Sequence, residues 1–273
     1  MPTRLKLEIA YDGTQYSGWQ IQARGTGVQE LIERALNQLF SGSHRVYGSS
    51  RTDAGVHALG MAAHVDIDQD PLRMEVRRMP LAINSRLPED IRVLDVRRVS
   101  TCFHARFDAI GKEYRYLVWN HTALNPLLRH QAWHVPQPLD FAAIKNAVPH
   151  FVGRHDFRSL AANHTYAIEN TIRTLHQVKF VRQGPLLTFT IRGDGFLYRM
   201  CRGIVGTLIQ TGRGKFHESE IRTMLRAKDR RAGGMSAPAC GLVLRKVFYP
   251  PGAMHLGRTT HPPGHIDASP SVE

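Results

Sequence analysis

The chain has 273 residues, of which 42% are hydrophobic, and it carries a formal net charge of +13 with a pI of about 10.2. This length accommodates two modest domains, and the absence of a run of about 18 apolar residues argues against a membrane span. A balance this basic favours a polyanionic partner such as nucleic acid. The excess lies in the second half, because residues 1–105 hold 13 Lys/Arg and 12 Asp/Glu whereas residues 106–273 hold 23 and 11.

The first hundred residues predict the element order β-α-β-β-α-β of a ferredoxin-like, or split β-α-β, unit. Alternating runs predict strands, and a 3.6-residue apolar period after a capping box at Thr26–Gln29 predicts the first helix. Two strands flank a loop of small residues around position 53. The predicted elements of this half are the strands Leu5–Ile9, Arg45–Tyr47, Met61–Val65 and Ile91–Val99 and the helices Val28–Leu39 and Leu72–Ser85.

The second half repeats this order, which predicts an α/β fold of two ferredoxin-like halves with their sheets joined across a central cleft. We expect a first domain over 1–105, a basic second domain over 106–250, and a flexible tail over 251–273 that lacks periodicity. The predicted elements are the strands Glu113–Trp119, Thr171–Arg182, Leu186–Arg192 and Gly241–Phe248 and the helices Phe141–Val148, Phe196–Thr211 and Ile221–Ala227.

Cysteine and histidine spacing bears on the cell compartment and on metals. The start of the chain lacks the apolar core of a secretion signal, and Cys102, Cys201 and Cys240 form no Cys-x-x-Cys pair. We therefore expect a cytoplasmic protein with reduced, mostly buried thiols. The 15 histidines show no His-Glu-x-x-His or Cys/His spacing, so no metal site is predicted.

The loop between the second and third predicted strands carries the strongest candidate for chemistry. Arg51 and Asp53 stand two residues apart among small residues, which allow a ligand to approach the backbone closely. On an extended segment, residues two apart point to the same side, so both side chains can reach one space. An isolated Arg-x-Asp is more often a solvated loop with a surface ion pair of little energetic value.

The longer string around this pair is much more specific. It is one of a series of motifs that run in order from about Leu5 to Tyr249. The motifs are Tyr11–Gly13 with Tyr16–Gln20, Arg51–Ala58, Phe103–Phe107 with Lys112–Tyr116, Phe196–Arg202 with Ile204–Gly206, and Gly241–Leu242. This series resembles the tRNA pseudouridine synthase A family. That resemblance implies an isomerase that converts uridine to pseudouridine at positions 38, 39 and 40 of the tRNA anticodon stem-loop.

The resemblance also implies roles for individual residues. Asp53 is the expected catalytic carboxylate, acting as nucleophile or base, and Arg202 is its salt-bridge partner. Arg51 is expected to help flip the target nucleotide out of the stem. Tyr114 resembles the residue that stacks on the target uracil, and Leu242 resembles the leucine that closes the pocket.

One position departs from the family pattern. The family often has Asn after the arginine of the third motif, whereas this chain has Gly203. That change keeps Arg202 and puts any amide contact at the next position in doubt.

The resemblance further implies tRNA as substrate, a homodimer across which the tRNA lies, and no metal or small-molecule cofactor. Two rival functions stay open from the residues alone. One is a non-catalytic RNA-binding module, because ferredoxin-like sheets with exposed aromatics bind single-stranded RNA. The other is a hydrolase that pairs Asp53 with a second acid, for which Asp12 is the nearest candidate. Whether Asp53 attacks C1′ or removes the C2′ proton is equally open.

Overall fold

The first half of the chain folds as the periodicity predicts. In the computed structural model, which describes residues 2–68, 74–162 and 170–261, four antiparallel strands take the order β4-β1-β3-β2. The apolar side of β1 and the apolar face of α1 are buried together in the core. The elements are β1 (Thr3–Tyr11), α1 (Val28–Leu39), β2 (Val46–Gly48), β3 (His57–Ile67), α2 (Met79–Asn84) and β4 (Ile91–Arg98).

The second half repeats the same strand order, β10-β5-β9-β8, which confirms the prediction of two ferredoxin-like units. The short strand Gly153–Asp156 extends the edge of this sheet beyond β8, and the short strand Trp133–His134 pairs with β5. The elements are β5 (Gly111–Trp119), β6 (Trp133–His134), α3 (Phe141–Ala147), β7 (Gly153–Asp156), β8 (Ile172–Gln183), β9 (Leu186–Gly193), α4 (Met200–Gly212), α5 (Glu220–Ala227) and β10 (Leu242–Phe248).

A short seam joins the two halves into one sheet. Strand β3 pairs with β2 through residues 63–65 and with β10, in parallel, through only His57 and Ala58. The partners on β10 are Val243 and Leu244. Because each half brings its own side chains to this seam, it is where residues distant in sequence meet.

Three local predictions differ from the structure. The α4 helix begins at Met200 and not at Phe196, because Arg199 adopts a left-handed conformation (φ 58°) that a helix cannot include. The capping box is absent: the N-cap of α1 is Gly27, with no side-chain cap. The second helix is shorter than predicted, since a 3-10 turn over Val76–Arg78 precedes α2, and residues 69–73 lie outside the described part of the chain.

The residues after β10 pack against the body, although the sequence predicts a flexible tail there. Ala253 is buried, and Met254 packs on a small apolar cluster that includes Phe103. Arg258 Nη1 lies 2.8 Å from Oδ1 of Asp108, whose side chain is only 3% exposed. Residues 262–273 lie outside the described residues. The domain limits at 105, 250 and 251 remain a prediction. No helix among the described residues is long and apolar enough to cross a membrane.

Candidate active site

The loop that carries Asp53 connects β2 to β3 and is pinned to the first motif of the chain. Thr52 Oγ1 shares a 2.8 Å hydrogen bond with the Tyr11 hydroxyl, and the Thr52 carbonyl accepts one from the Trp19 amide. A Cβ on Gly18 would lie 2.3 Å from that carbonyl, so only glycine allows this approach. The amino-terminal motif therefore serves as a backbone cradle for the loop.

Asp53 meets Arg202 across the two halves of the molecule. Arg202 Nη1 lies 2.8 Å from Asp53 Oδ2, and the two side chains are 12% and 16% exposed. Residues 149 positions apart are thus joined by a charge-assisted hydrogen bond in a mostly desolvated place. The arginine supplies the opposite charge for a carboxylate that little solvent reaches.

The guanidinium of Arg202 is fixed by the irregular segment shortly before β10. Its Nε donates to the Ala237 carbonyl at 2.7 Å, and the Ala237 amide donates back to the Arg202 carbonyl at 3.0 Å. This segment lies against α4 at Gly206, where a Cβ would meet the Met235 carbonyl at 1.8 Å. Close backbone packing therefore sets the direction in which Arg202 points.

The packing around Gly203, where the family often has Asn, leaves no room for a side chain. A Cβ at this position would lie 2.1 Å from the carbonyl oxygen of Leu160. The 3-10 turn Arg158–Leu160 thus occupies the space into which an asparagine side chain would project. No amide contact is available at this position, whereas Arg202 next to it keeps its place.

Tyr114 lies beside the acid, at the centre of the second half. It is buried on β5, and its ring meets Phe196 edge-to-face at a centroid distance of 5.0 Å. Burial, and then the neighbouring Cys201, raise the pKa of the Tyr114 hydroxyl far above its usual range, with Asp53 adding to the rise. The hydroxyl therefore stays protonated, and the phenol offers a neutral face and a hydrogen-bond donor near Asp53.

Arg51 and Leu242 stand in contrasting environments at this site. Arg51 is exposed, and it makes no hydrogen bond or ion pair with the described part of the chain. Leu242 is buried at the start of β10, in register with Tyr116. The arginine is consequently available to a large external ligand, whereas the leucine belongs to the buried interior.

Ser50 was not singled out from the sequence, yet its hydroxyl is one of the few polar atoms buried without a partner in the described residues. It lies beside the Tyr114 hydroxyl, but the contact lacks the geometry of a hydrogen bond. A buried, unsatisfied hydroxyl costs free energy in the unliganded protein. Its place next to Tyr114 and Asp53 makes it a candidate contact for a bound substrate.

Positive charge surrounds the start of the loop. Lys112 Nζ donates to the Ser49 carbonyl at 2.8 Å. Burial, and then the nearby cations Arg106 and Arg173, lower the pKa of Lys112 to about 8. These cations belong to three different segments, so the fold gathers positive charge at the start of the loop that no local run of the sequence displays.

His57 is a second residue that the sequence reading missed as part of the site. The Gly13 amide donates to its Nδ1 at 3.0 Å, and its Nε2 lies 3.0 Å from the Cys240 carbonyl. Asp12 Oδ1 also lies 3.1 Å from Nδ1, a distance at which a protonated ring would form an ion pair with the carboxylate. Because the Gly13 N–H already occupies the Nδ1 lone pair, we assign the neutral ring with its hydrogen on Nε2.

Comparisons with known proteins agree with these motifs. A family model described as tRNA pseudouridine synthase matches residues 9–108 and 147–250. Proteins named tRNA pseudouridine synthase A are 44% identical in Exiguobacterium sibiricum, covering 90% of this chain and 97% of the relative, and 44% identical in Geobacillus kaustophilus, covering 91% and 95%. The protein of that name in Halalkalibacterium halodurans is 42% identical over 95% of this chain and 97% of its own length.

Proposed function

Because this chain belongs to the tRNA pseudouridine synthase family, we propose that it isomerises uridine to pseudouridine in tRNA, at positions 38, 39 and 40 of the anticodon stem-loop. The observation that carries the proposal is the Asp53–Arg202 ion pair, which holds an ionised carboxylate at the seam of the two halves. A module that only binds RNA would not need a mostly buried ion pair beside an exposed arginine and a buried tyrosine.

The reaction exchanges one bond to the sugar for another. The C1′–N1 bond of uridine breaks, the base turns, and a C1′–C5 bond forms. C5 then loses its hydrogen as a proton, and N1 gains one. Positive charge develops at the sugar during cleavage, as in glycoside hydrolysis, and a carboxylate stabilises it.

Asp53 supplies that carboxylate, either by attack on C1′ or by removal of the C2′ proton. Arg202 supports either role, because it places an opposite charge at hydrogen-bond distance from the carboxylate. The Ala237 carbonyl holds Arg202 in its orientation, so the acid meets a preorganised partner. Asp12, the second acid considered for a hydrolase, accepts a hydrogen bond from the Thr14 amide and lies 3.1 Å from His57 Nδ1.

Three further residues act on the nucleotide. Arg51 enters the stem as the target uridine leaves it, since an exposed guanidinium can both stack and contact phosphate. Tyr114 stacks on the extruded uracil with its neutral ring. Leu242 closes the pocket by apolar contact.

The substrate is bound mainly through its shape and its backbone. Arg51 is exposed, and Arg106 and Arg173 lie near Lys112, which holds the start of the same loop, so we assign these arginines to phosphate contacts. A-form RNA stems are read by phosphate and sugar contacts, which tolerate three neighbouring target positions. We further propose a cytoplasmic homodimer across which one tRNA lies.

The test is the variant Asp53→Asn, which keeps size and polarity but removes the carboxylate charge. Tritium release from tRNA labelled at C5 of uridine should fall by several orders of magnitude, the scale on which a catalytic group counts. Affinity for tRNA should stay similar or rise, because a negative charge leaves an RNA-binding cleft. Tritium release and a binding titration are measured on the same preparation.

A matched control is Asp66→Asn on β3. Asp66 also pairs with an arginine, Arg4, through two 2.7 Å hydrogen bonds, but it is remote from the seam. This variant should lose stability and keep its turnover. Substantial release by folded Asp53→Asn protein removes Asp53 from the mechanism, whereas no release by the native protein on any tRNA favours the binding module.

A further inference from the structure

The seam between the halves is too short to fix their alignment by backbone pairing alone. Only His57 and Ala58 of β3 are paired with β10 there. Asp53 and Tyr114 nevertheless come from different halves, and catalytic groups must be held within a fraction of an ångström. Some other contact close to Asp53 must restrain the seam.

His57 makes one such contact, in addition to the Lys112–Ser49 hydrogen bond and the Asp53–Arg202 pair. It is 5% exposed and lies four residues after Asp53, at the end of the same loop. Its Nδ1 accepts from the Gly13 amide within the first half, and its Nε2–H donates to the Cys240 carbonyl of the second half. One imidazole thus bridges two halves that are paired at that point by two residues.

Each end of the bridge leads to the site. A Cβ on Gly13 would meet the Val56 carbonyl at 2.1 Å, so the Gly13 turn is pressed against the loop itself. At the other end, Cys240 lies in the 3-10 turn Ala239–Gly241, immediately before Leu242. Tyr116 also anchors that turn, through its hydroxyl to the Pro238 carbonyl at 2.8 Å.

We infer that His57 is a positioning residue for the reaction, whose Nε2–H···O contact to Cys240 holds Asp53 in register with Arg202 and Leu242. This inference deepens the proposed function and rests on it for its kinetic consequence. The bond within the first half, to Gly13, fixes the tautomer that makes the second bond possible. The bond across the seam is the one on which turnover depends.

Two substitutions separate the two bonds. In His57→Asn, the side-chain oxygen stands near the place of Nδ1 and can accept from Gly13, but nothing reaches Cys240. In His57→Gln, the amide nitrogen extends toward the place of Nε2 and can donate to the Cys240 carbonyl. Both variants remove a buried ring, so a purely structural role predicts a similar loss of melting temperature and of turnover in each.

We expect His57→Asn to lower kcat about 100-fold, the scale of a 1 Å misplacement, with its tRNA affinity within about twofold of native. His57→Gln should recover most of that loss. Equal turnover in the two folded variants would overturn the inference. If His57→Asn does not fold, His57→Met replaces it, because methionine matches glutamine in length but has no donor.

Hydrogen exchange gives a readout that does not depend on the reaction. Backbone amides of the peptide covering residues 239–244 should exchange faster in His57→Asn or His57→Met than in His57→Gln. Native protein without tritium release refutes the proposed function, yet the exchange comparison still decides whether His57 restrains the seam. Equal exchange in the three variants means that it does not.

Discussion

Gly203 offers a substitution whose cost can be worked out from the packing of α4. In Gly203→Ala the new Cβ would lie 2.1 Å from the Leu160 carbonyl oxygen and 3.0 Å from its carbonyl carbon. An ordinary contact is about 3.5 Å, so helix and turn must separate by about 1 Å or more. Neither side is a flexible side chain, because the obstacle is backbone.

Both partners of this contact are held in place. The Leu160 turn is closed by a hydrogen bond from the Leu160 amide to the Phe157 carbonyl. Ser159 also holds the turn, because its Oγ accepts from the Asp229 amide at 3.0 Å. The other partner, α4, is tied to Asp53 through Arg202. Any relaxation of the helix therefore moves the ion pair.

The magnitude follows from two opposing terms. Alanine gains about 1 kcal/mol over glycine inside a helix, and overpacking of this severity costs about 3 kcal/mol. The free energy of unfolding should therefore fall by about 2 kcal/mol, which for a chain of this size lowers the melting temperature by about 4–8 °C. Displacement of Arg202 should lower kcat by about tenfold or more.

Calorimetry and tritium release on Gly203→Ala test this reasoning, and Gly203→Asn, which restores the family's residue, should behave worse. Gly214→Ala is the control, since Gly214 has a left-handed backbone (φ 74°) with nothing within 4 Å of a new Cβ. It should lose about 1 kcal/mol through strain alone and keep its turnover. A melting temperature for Gly203→Ala at or above the native value would refute the argument.

Three further outcomes are expected. Arg51→Ala should lose most activity and keep much of its tRNA affinity, with partial rescue by a tRNA mismatched at the target; an equal loss of affinity would make Arg51 an ordinary binding cation. Ser50→Ala should melt higher, because it removes a buried unsatisfied hydroxyl, while its kcat/KM falls; unchanged kcat/KM would exclude a substrate contact. Lys112 has a folded-state pKa of about 8 against 10.5 unfolded, so its charge destabilises the fold below pH 8 and this cost fades as pH rises. Native protein should therefore gain about 2 kcal/mol relative to Lys112→Met between pH 8 and pH 10, and parallel pH curves would contradict this.

The sequence predicts the repeated fold because its signals are local. The period of α1 buries Val28, Ile32, Ala35 and Leu36, as expected for one face of a helix. The start of α4 could not be placed, since Arg199 takes a left-handed conformation that sequence normally signals with glycine or asparagine. Residue propensities do not predict an arginine in this left-handed conformation.

The site, like the fold, has a part that the sequence predicts and a part that it does not. Asp53, Arg51, Tyr114, Arg202 and Leu242 all lie in motifs that the sequence displays, and the fold brings Asp53 and Arg202 into contact. The supporting contacts were not predictable, because they join residues far apart along the chain. His57 meets backbone atoms 44 and 183 residues away, and a backbone partner leaves no mark in the sequence.

The docking of Arg258 on Asp108 has a consequence for where the gene can end. The family model stops at residue 250, whereas Arg258 covers a carboxylate that is 3% exposed and that also binds the His104 amide. A nonsense codon between these positions would leave that buried charge without its cation, which typically costs about 3–5 kcal/mol. Expression clones trimmed to the family boundary would carry the same defect, so a shortened clone should still include Arg258.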